Sequence, residues 1–284
     1  MNVNSKPKVQ LVKFLLGVAT TTLHGADMPS PRLDTEVLLA YVLGVDRAWL
    51  IAHGEDEVSS KDARRFESLI ARRLKREPVA YIVGRKEFYG REFAVTPDVL
   101  IPRPESEGII ELLKDLVQPG ASSRQMLDVG CGSGCLGITA KLEMQKLDVT
   151  LSDISPAALT VARRNAHKLG ADVTIVQSNL LAAFFPLPSP LFHLVIANLP
   201  YVDRSWDVSP ELRHEPDIAL YAAEQGLKLI KTLLVQAPSV IAPGGYLLLE
   251  ADPCQHEVII EYGKRYGFEM AEVREYIVVL QYRS

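Results

Sequence analysis

Apolar residues recur at helical spacing through the first part of the chain and predict helices at Val9 to His24, Pro31 to Leu43, Arg47 to Ala52 and Lys61 to Arg76. Leu11, Phe14, Leu15 and Val18 mark one face of the first. Lys13 interrupts the apolar run, so the segment reads as an amphipathic helix and not a cleaved leader, although Lys6 and Lys8 precede it. Ser30 before Pro31 is a helix start: a serine can cap, and a proline at the first helical position loses no needed donor. Ser59 and Ser60 ahead of Lys61 repeat the signal. From Pro78 to Glu107 the pattern changes to alternation punctuated by Gly84, Gly90, Pro97, Pro102 and Pro104, and Phe88 to Phe93 predicts a hairpin.

Beyond Glu107, short apolar runs alternate with helical stretches: Met126 to Val129, Val149 to Ser152, Val173 to Gln177, Leu194 to Asn198 and Tyr246 to Glu250. Such alternation predicts a parallel sheet with helices on both faces. Tyr276 to Tyr282, rich in β-branched residues, predicts an antiparallel edge strand. The expected organisation is a helical domain over 1–77, a β-hairpin linker over 78–107 and an α/β domain over 108–284. The helical part has no titratable cluster and no glycine-rich loop, so it is expected to pack or recognise a partner and not to catalyse.

A length of 284 residues accommodates two domains, and a 48% hydrophobic share is that of an ordinary globular protein. The formal net charge of -4 speaks against binding that draws its affinity from nucleic-acid phosphates; a folded protein partner fits better. Three cysteines, an odd set in a chain this long, suit a reducing compartment and predict a cytoplasmic protein, and no run outside the first helix approaches the length of a membrane span. Cys131 and Cys135 with one distant cysteine make no recognisable zinc site, and the six histidines are scattered singly, so no metal is expected.

Candidate chemistry begins where the first strand of the α/β part ends, in Asp128-Val129-Gly130-Cys131-Gly132-Ser133-Gly134 followed by a helix rich in small residues. Glycines permit a tight turn close to a ligand, and a helix start presents unpaired amides to it. Two cofactor classes compete. Gly132, Gly134 and Gly137 satisfy a dinucleotide pattern, with Asp153 at the spacing of a ribose-binding acid. Asp128 favours S-adenosylmethionine instead, because a carboxylate there suits ammonium and sulfonium groups and repels a pyrophosphate. Asp153 is expected on the ribose, the alternative being a turn residue ahead of Ser155-Pro156.

Asn198-Leu199-Pro200-Tyr201 stands at the carboxyl end of the fourth strand, where open α/β sheets bind ligands. An Asn-Pro-Pro-Tyr tetrad there, after a methyltransferase glycine loop, marks enzymes that methylate planar nitrogens; Leu199 takes the place of the first proline. Together with Ser30 to Asp34, Arg76 to Ile82, Gly90 to Val95, Ile101 to Glu107, Asp153 to Pro156 and His214-Glu215-Pro216, this tetrad makes the chain resemble the HemK/PrmC family, the glutamine methyltransferases of peptide chain release factors.

The resemblance implies a Rossmann-like seven-stranded class I methyltransferase domain preceded by a small all-helical domain. It implies S-adenosyl-L-methionine as cofactor, S-adenosyl-L-homocysteine as product and a release factor as protein partner, methylated on the glutamine of its Gly-Gly-Gln tip. Asn198, Leu199, Pro200 and Tyr201 become the catalytic and substrate-binding residues, with Arg103 also toward the substrate. Cofactor contacts fall to Asp128, Gly130, Cys131, Gly132, Ser133, Gly134, Asp153, Asn179, Leu180 and Asn198. Asn179-Leu180 stands where the family commonly has an acid near the adenine, and Glu250 to Pro253 and the tail after Glu272 also depart from its pattern. Two other functions stay in play: a nucleic-acid adenine methyltransferase, which would have to flip its base and grip phosphates, and a methyltransferase-like binding protein without catalysis.

Overall fold

The computed structural model describes residues 10–117, 124–185 and 191–283; the expected helix start at Val9 lies outside them. The chain divides into two compact units, Met1–Gly84 with Ser209–His214, and Arg85–Val208 with Glu215–Ser284.

The first unit runs β1 (Gln10–Leu11), α1 (Val12–Gly25), α2 (Pro31–Leu43), α3 (Arg47–Ala52), β2 (Glu57–Val58), α4 (Ser60–Leu74) and α5 (Val79–Val83). Helix α1 buries Val12, Leu15, Ala19 and Leu23, three or four residues apart, which is the spacing that keeps side chains on one face. They meet Leu38, Leu39, Leu50 and Phe66 in one core. Ser30 does not cap α2 through its side chain; Pro31 alone marks that start. Ser59 does cap α4, its Oγ accepting from the Asp62 backbone N–H at 3.1 Å. The alternation expected after Pro78 is instead helical at Val79–Val83, a run with no polar position to face water on a strand, and Gly84 closes it at φ 74°. Asp34, from the Ser30 to Asp34 segment, is a buried acceptor: Arg73 Nε donates to its Oδ2 at 2.7 Å, and Arg73 Nη2 donates to Glu211 Oε1 at 3.1 Å. Arg73 is 4% exposed and shared by both carboxylates, so losing one leaves the other as its partner and losing both strands a buried charge.

The second unit opens with a hairpin of β3 (Arg85–Phe88) and β4 (Arg91–Ala94), turned through Tyr89 and Gly90, both at positive φ as a two-residue turn requires. It continues with α6 (Glu107–Leu116), β5 (Arg124–Val129), α7 (Cys135–Glu143), β6 (Leu147–Asp153), α8 (Pro156–Leu169), β7 (Thr174–Gln177) and β8 (Phe192–Ala197). Then follow α9 (Asp217–Leu220), α10 (Lys228–Gln236), β9 (Ile241–Glu250), α11 (His256–Lys264), β10 (Phe268–Arg274) and β11 (Ile277–Tyr282). The sheet order is β10-β11-β9-β8-β5-β6-β7, with β5 to β9 parallel and β11 antiparallel to both its neighbours. This is the seven-stranded, Rossmann-like class I methyltransferase arrangement. Its antiparallel insertion separates it from the all-parallel dinucleotide order.

The final strand is antiparallel as expected but is not the edge. It lies between β9 and β10 and buries four successive residues, Ile277 to Leu280, on both faces. The edge is β10, where Phe268 alone is fully buried. The order turns at β5, whose neighbours β6 and β8 lie on opposite sides, and a crevice is expected outside the carboxyl ends of those strands.

Candidate active site

Sheet register assembles the site. Val129 pairs with Ser152 on one side and with Ala197 on the other, and Ala197 pairs with Leu249. The residues that follow, Gly130, Asp153, Asn198 and Glu250, therefore arrive together at one end of the sheet. A cavity of about 370 Å³ opens there.

The glycine loop forms its floor. Gly130 and Cys131 both donate backbone N–H to the Ser152 carbonyl, at 2.8 and 2.9 Å, which ties the loop to β6. Gly134 caps α7 at φ 78°, a left-handed conformation that a side chain would strain, and a Cβ there would lie 2.8 Å from Ile138 Cδ1. Gly130, Cys131, Gly132 and Ser133 line the cavity; Gly134 stands behind it. Asn165 of α8, fully buried, accepts from Ala94 N–H and donates to the Ala94 and Ser133 carbonyls, clamping hairpin to loop. Sequence patterning gives no sign of it, since an asparagine within a helix reads as surface.

Asp153 stands at the cavity rim, Oδ2 accepting the Gly132 N–H at 2.9 Å and Oδ1 the Ser155 N–H at 2.8 Å. Capping of α8 falls to Ser155, whose Oγ accepts from Ala158 N–H, while Asp153 orders the turn ahead of it and also lines the cavity. Asn179 and Leu180 line the wall after β7, Asn179 exposed and Leu180 buried at φ 49°. Asn198, Leu199 and Pro200 form the wall after β8, and Arg103 joins from the segment before α6. Arg103 Nη2 donates to Glu215 Oε1 at 2.6 Å, and Glu215 Oε2 also accepts the Ile101 N–H. That gives Glu215, known from sequence only as part of a motif, the task of aiming Arg103.

Besides Gly134, two expected contact residues are off this wall. Tyr201 turns its hydroxyl to Glu250 Oε1, 3.3 Å away, and burial with the Glu250 charge holds the phenol well above its usual range. Asp128 lies beneath the loop at 1% exposure, its Oδ2 accepting the Gly137 N–H at 2.9 Å and its Oδ1 meeting no hydrogen-bond partner. Burial pushes this carboxyl up to about 7, against the Gly137 hydrogen bond and with help from the Asp153 charge. Between about pH 4 and 7 the unfolded chain has released this proton while the folded one keeps it, so the group's contribution to stability falls with rising pH across that window. Asp128→Asn is accordingly expected to raise the melting temperature of the cofactor-free protein at pH 8, with a gain that shrinks toward pH 5. Thermal melts across that range check it, and a gain independent of pH would contradict the buried-charge account.

Comparison with known proteins identifies the family. Residues 15–84 match the PrmC N-terminal domain and residues 107–215 the methyltransferase small domain. The chain is 41% identical over 248 residues to the release factor glutamine methyltransferase of Koribacter versatilis, covering 84% of this chain and 87% of that one. It is 39% identical over 267 residues to the enzyme of the same description from Deinococcus radiodurans, covering 93% of each. Among solved structures, a methyltransferase from Pyrococcus furiosus superposes with a TM-score of 0.52 at 18% identity, over 75% of this chain and 98% of that one, a likeness of fold. With both domain models matched in order and the relatives aligned along most of their own length, the chain belongs to the family of release factor glutamine methyltransferases.

Proposed function

We propose that the protein uses S-adenosylmethionine to methylate the side-chain amide nitrogen of the glutamine in the Gly-Gly-Gln tip of a peptide chain release factor, in the cytoplasm. The cofactor fits the donor set. A buried carboxylate oxygen of Asp128 has no partner, Asp153 stands at the rim, and the Gly132 N–H is already given to Asp153 and not offered to a phosphate. The Asp153 carboxylate on the cavity wall, with the Gly132 N–H committed to it, repels a pyrophosphate, which argues against the dinucleotide alternative.

The observation that carries the reading is Asn198. Its Nδ2 donates to Ser106 Oγ at 3.1 Å, which leaves Oδ1 as the atom for a ligand on the cavity wall. When bound, S-adenosylmethionine supplies an activated methyl group on a sulfonium. An amide nitrogen is a poor nucleophile because its lone pair is shared with the carbonyl. Asn198 Oδ1 and the Leu199 carbonyl each accept one amide hydrogen and hold the nitrogen with its π face toward the methyl group, so orientation does most of the work. The same two oxygens stabilise positive charge that grows on nitrogen as the bond forms. The product cation then loses its proton to water without a dedicated base. Leu199 contributes a backbone atom, and its side chain, 4% exposed, packs toward Gly130, so loss of the usual proline does not remove the acceptor. Glu215 keeps Arg103 beside the substrate, and the helical unit recognises the release factor.

Mass spectrometry of a release factor incubated with enzyme and S-adenosylmethionine tests the proposal. A gain of one methyl on the Gly-Gly-Gln peptide is expected; an unshifted peptide removes the substrate assignment.

A further inference from the structure

Glu250 ends β9 at 2% exposure, behind the tetrad and not on the cavity wall. Its Oε2 accepts from Ser106 Oγ at 2.5 Å and its Oε1 from the Tyr201 hydroxyl at 3.3 Å. Ser106 is itself 2% exposed, and its Oγ is the atom to which Asn198 Nδ2 donates. A serine hydroxyl has one hydrogen, and a carboxylate can only accept one. With that hydrogen committed to Glu250, Ser106 faces Asn198 as an acceptor, and the Asn198 side chain also interacts with Glu250 directly, so Asn198 turns its NH2 group inward.

We propose that Glu250 is a positioning residue for methyl transfer: through Ser106 it fixes the Asn198 carboxamide so that the oxygen, not the nitrogen, faces the cavity. The assignment rests on Asn198 being the acceptor for the substrate amide. A flipped carboxamide would set an NH2 group against the substrate's NH2 group, removing an acceptor and placing positive dipole beside the nitrogen that becomes positive. Tyr201 supplies the second donor to the carboxylate, which accounts for a tetrad tyrosine that points away from the cavity.

Glu250→Leu tests this without a large change in volume, although it leaves the Ser106 and Tyr201 hydroxyls without their acceptor, so a lower melting temperature is expected of it in any case. Without the carboxylate, the Ser106 hydroxyl is released to donate to Asn198 Oδ1 and hold the amide the wrong way round. Steady-state transfer to a release factor is expected to fall about tenfold to a hundredfold in kcat, the scale of one buried hydrogen bond made or left unmet, with cofactor affinity by calorimetry retained. Adding Ser106→Ala to Glu250→Leu removes the wrong donor and should recover about tenfold of that loss. A merely structural carboxylate predicts the reverse, a double variant worse than either single one. Wild-type kcat in Glu250→Leu, with Asn198→Ala inactive, overturns the positioning role and keeps the reading of Asn198. Full activity in Asn198→Ala overturns that reading first. Loss of cofactor affinity in parallel with kcat in Glu250→Leu assigns the residue to fold support and overturns the proposal.

Discussion

Asn198→Ala is expected to cut methyl transfer by at least about a hundredfold, the scale measured when one preorganised polar contact to a developing charge is removed. Cofactor affinity should hardly change, because the truncated atoms face the acceptor amide. The alanine keeps the backbone that leads into Leu199 and Pro200, so the wall itself persists; what disappears is one of two oxygens that orient a weak nucleophile. Asp153→Ala should behave in the opposite way. It removes a carboxylate that orders the Gly132 and Ser155 amides and stands ready for ribose hydroxyls, and cofactor binding should weaken about tenfold to a hundredfold, the equivalent of one charge-assisted hydrogen bond. Saturating cofactor then restores much of the rate to Asp153→Ala and none to Asn198→Ala. Calorimetry with S-adenosylmethionine, paired with transfer rates at saturation, separates the two, and loss of cofactor affinity in Asn198→Ala would show that its role is misassigned.

The parts of this site legible in sequence are those in which a residue type is itself the signal. Glycines before a helix, an acid after the second strand and an asparagine ahead of Pro200 keep their meaning wherever the chain puts them, and the long apolar runs of β5, β6, β8 and β9 place them at strand ends. Ser106, Asn165, Glu215 and Glu250 were not legible as parts of the site. Serine, asparagine and glutamate are ordinary surface types, and these four acquire a function only because register and connectivity bring them under the loop and tetrad. Glu250 did carry one usable sign, a carboxylate directly after Leu247-Leu248-Leu249 in a buried strand, where an unpaired charge is costly. The misread edge has a similar cause. Strand β10 mixes Phe268, Met270 and Val273 with Glu269, Glu272 and Arg274, too polar a run to announce a strand, so the more apolar β11 takes the edge in sequence although pairing puts it inside.

Gly226→Ala is expected to cost both stability and activity. Residues 224–226 all have positive φ, and Gly226 at 82° carries the turn into α10. A Cβ on Gly226 would lie 1.8 Å from the Tyr201 carbonyl oxygen and 2.5 Å from Gln255 Nε2, neither of which can step aside cheaply. Gln255 is 3% exposed, with Nε2 donating to the Tyr201 and Gln225 carbonyls at 2.9 and 2.7 Å and Oε1 accepting the Asp252 N–H. It is the strap that holds the end of the tetrad. A left-handed alanine costs about 1–2 kcal/mol and overpacking about 1–3 more, so roughly 2–5 kcal/mol of stability should be lost. Gly244→Ala separates the two contributions, since Gly244 has φ 78° but nothing within 4 Å of a Cβ, and only the conformational part should appear. Because the clash is with the carbonyl of Tyr201, the excess loss in Gly226→Ala should come with a fall in kcat that Gly244→Ala does not show. Equal melting temperatures and equal rates in the two variants would mean that the turn yields without moving the tetrad.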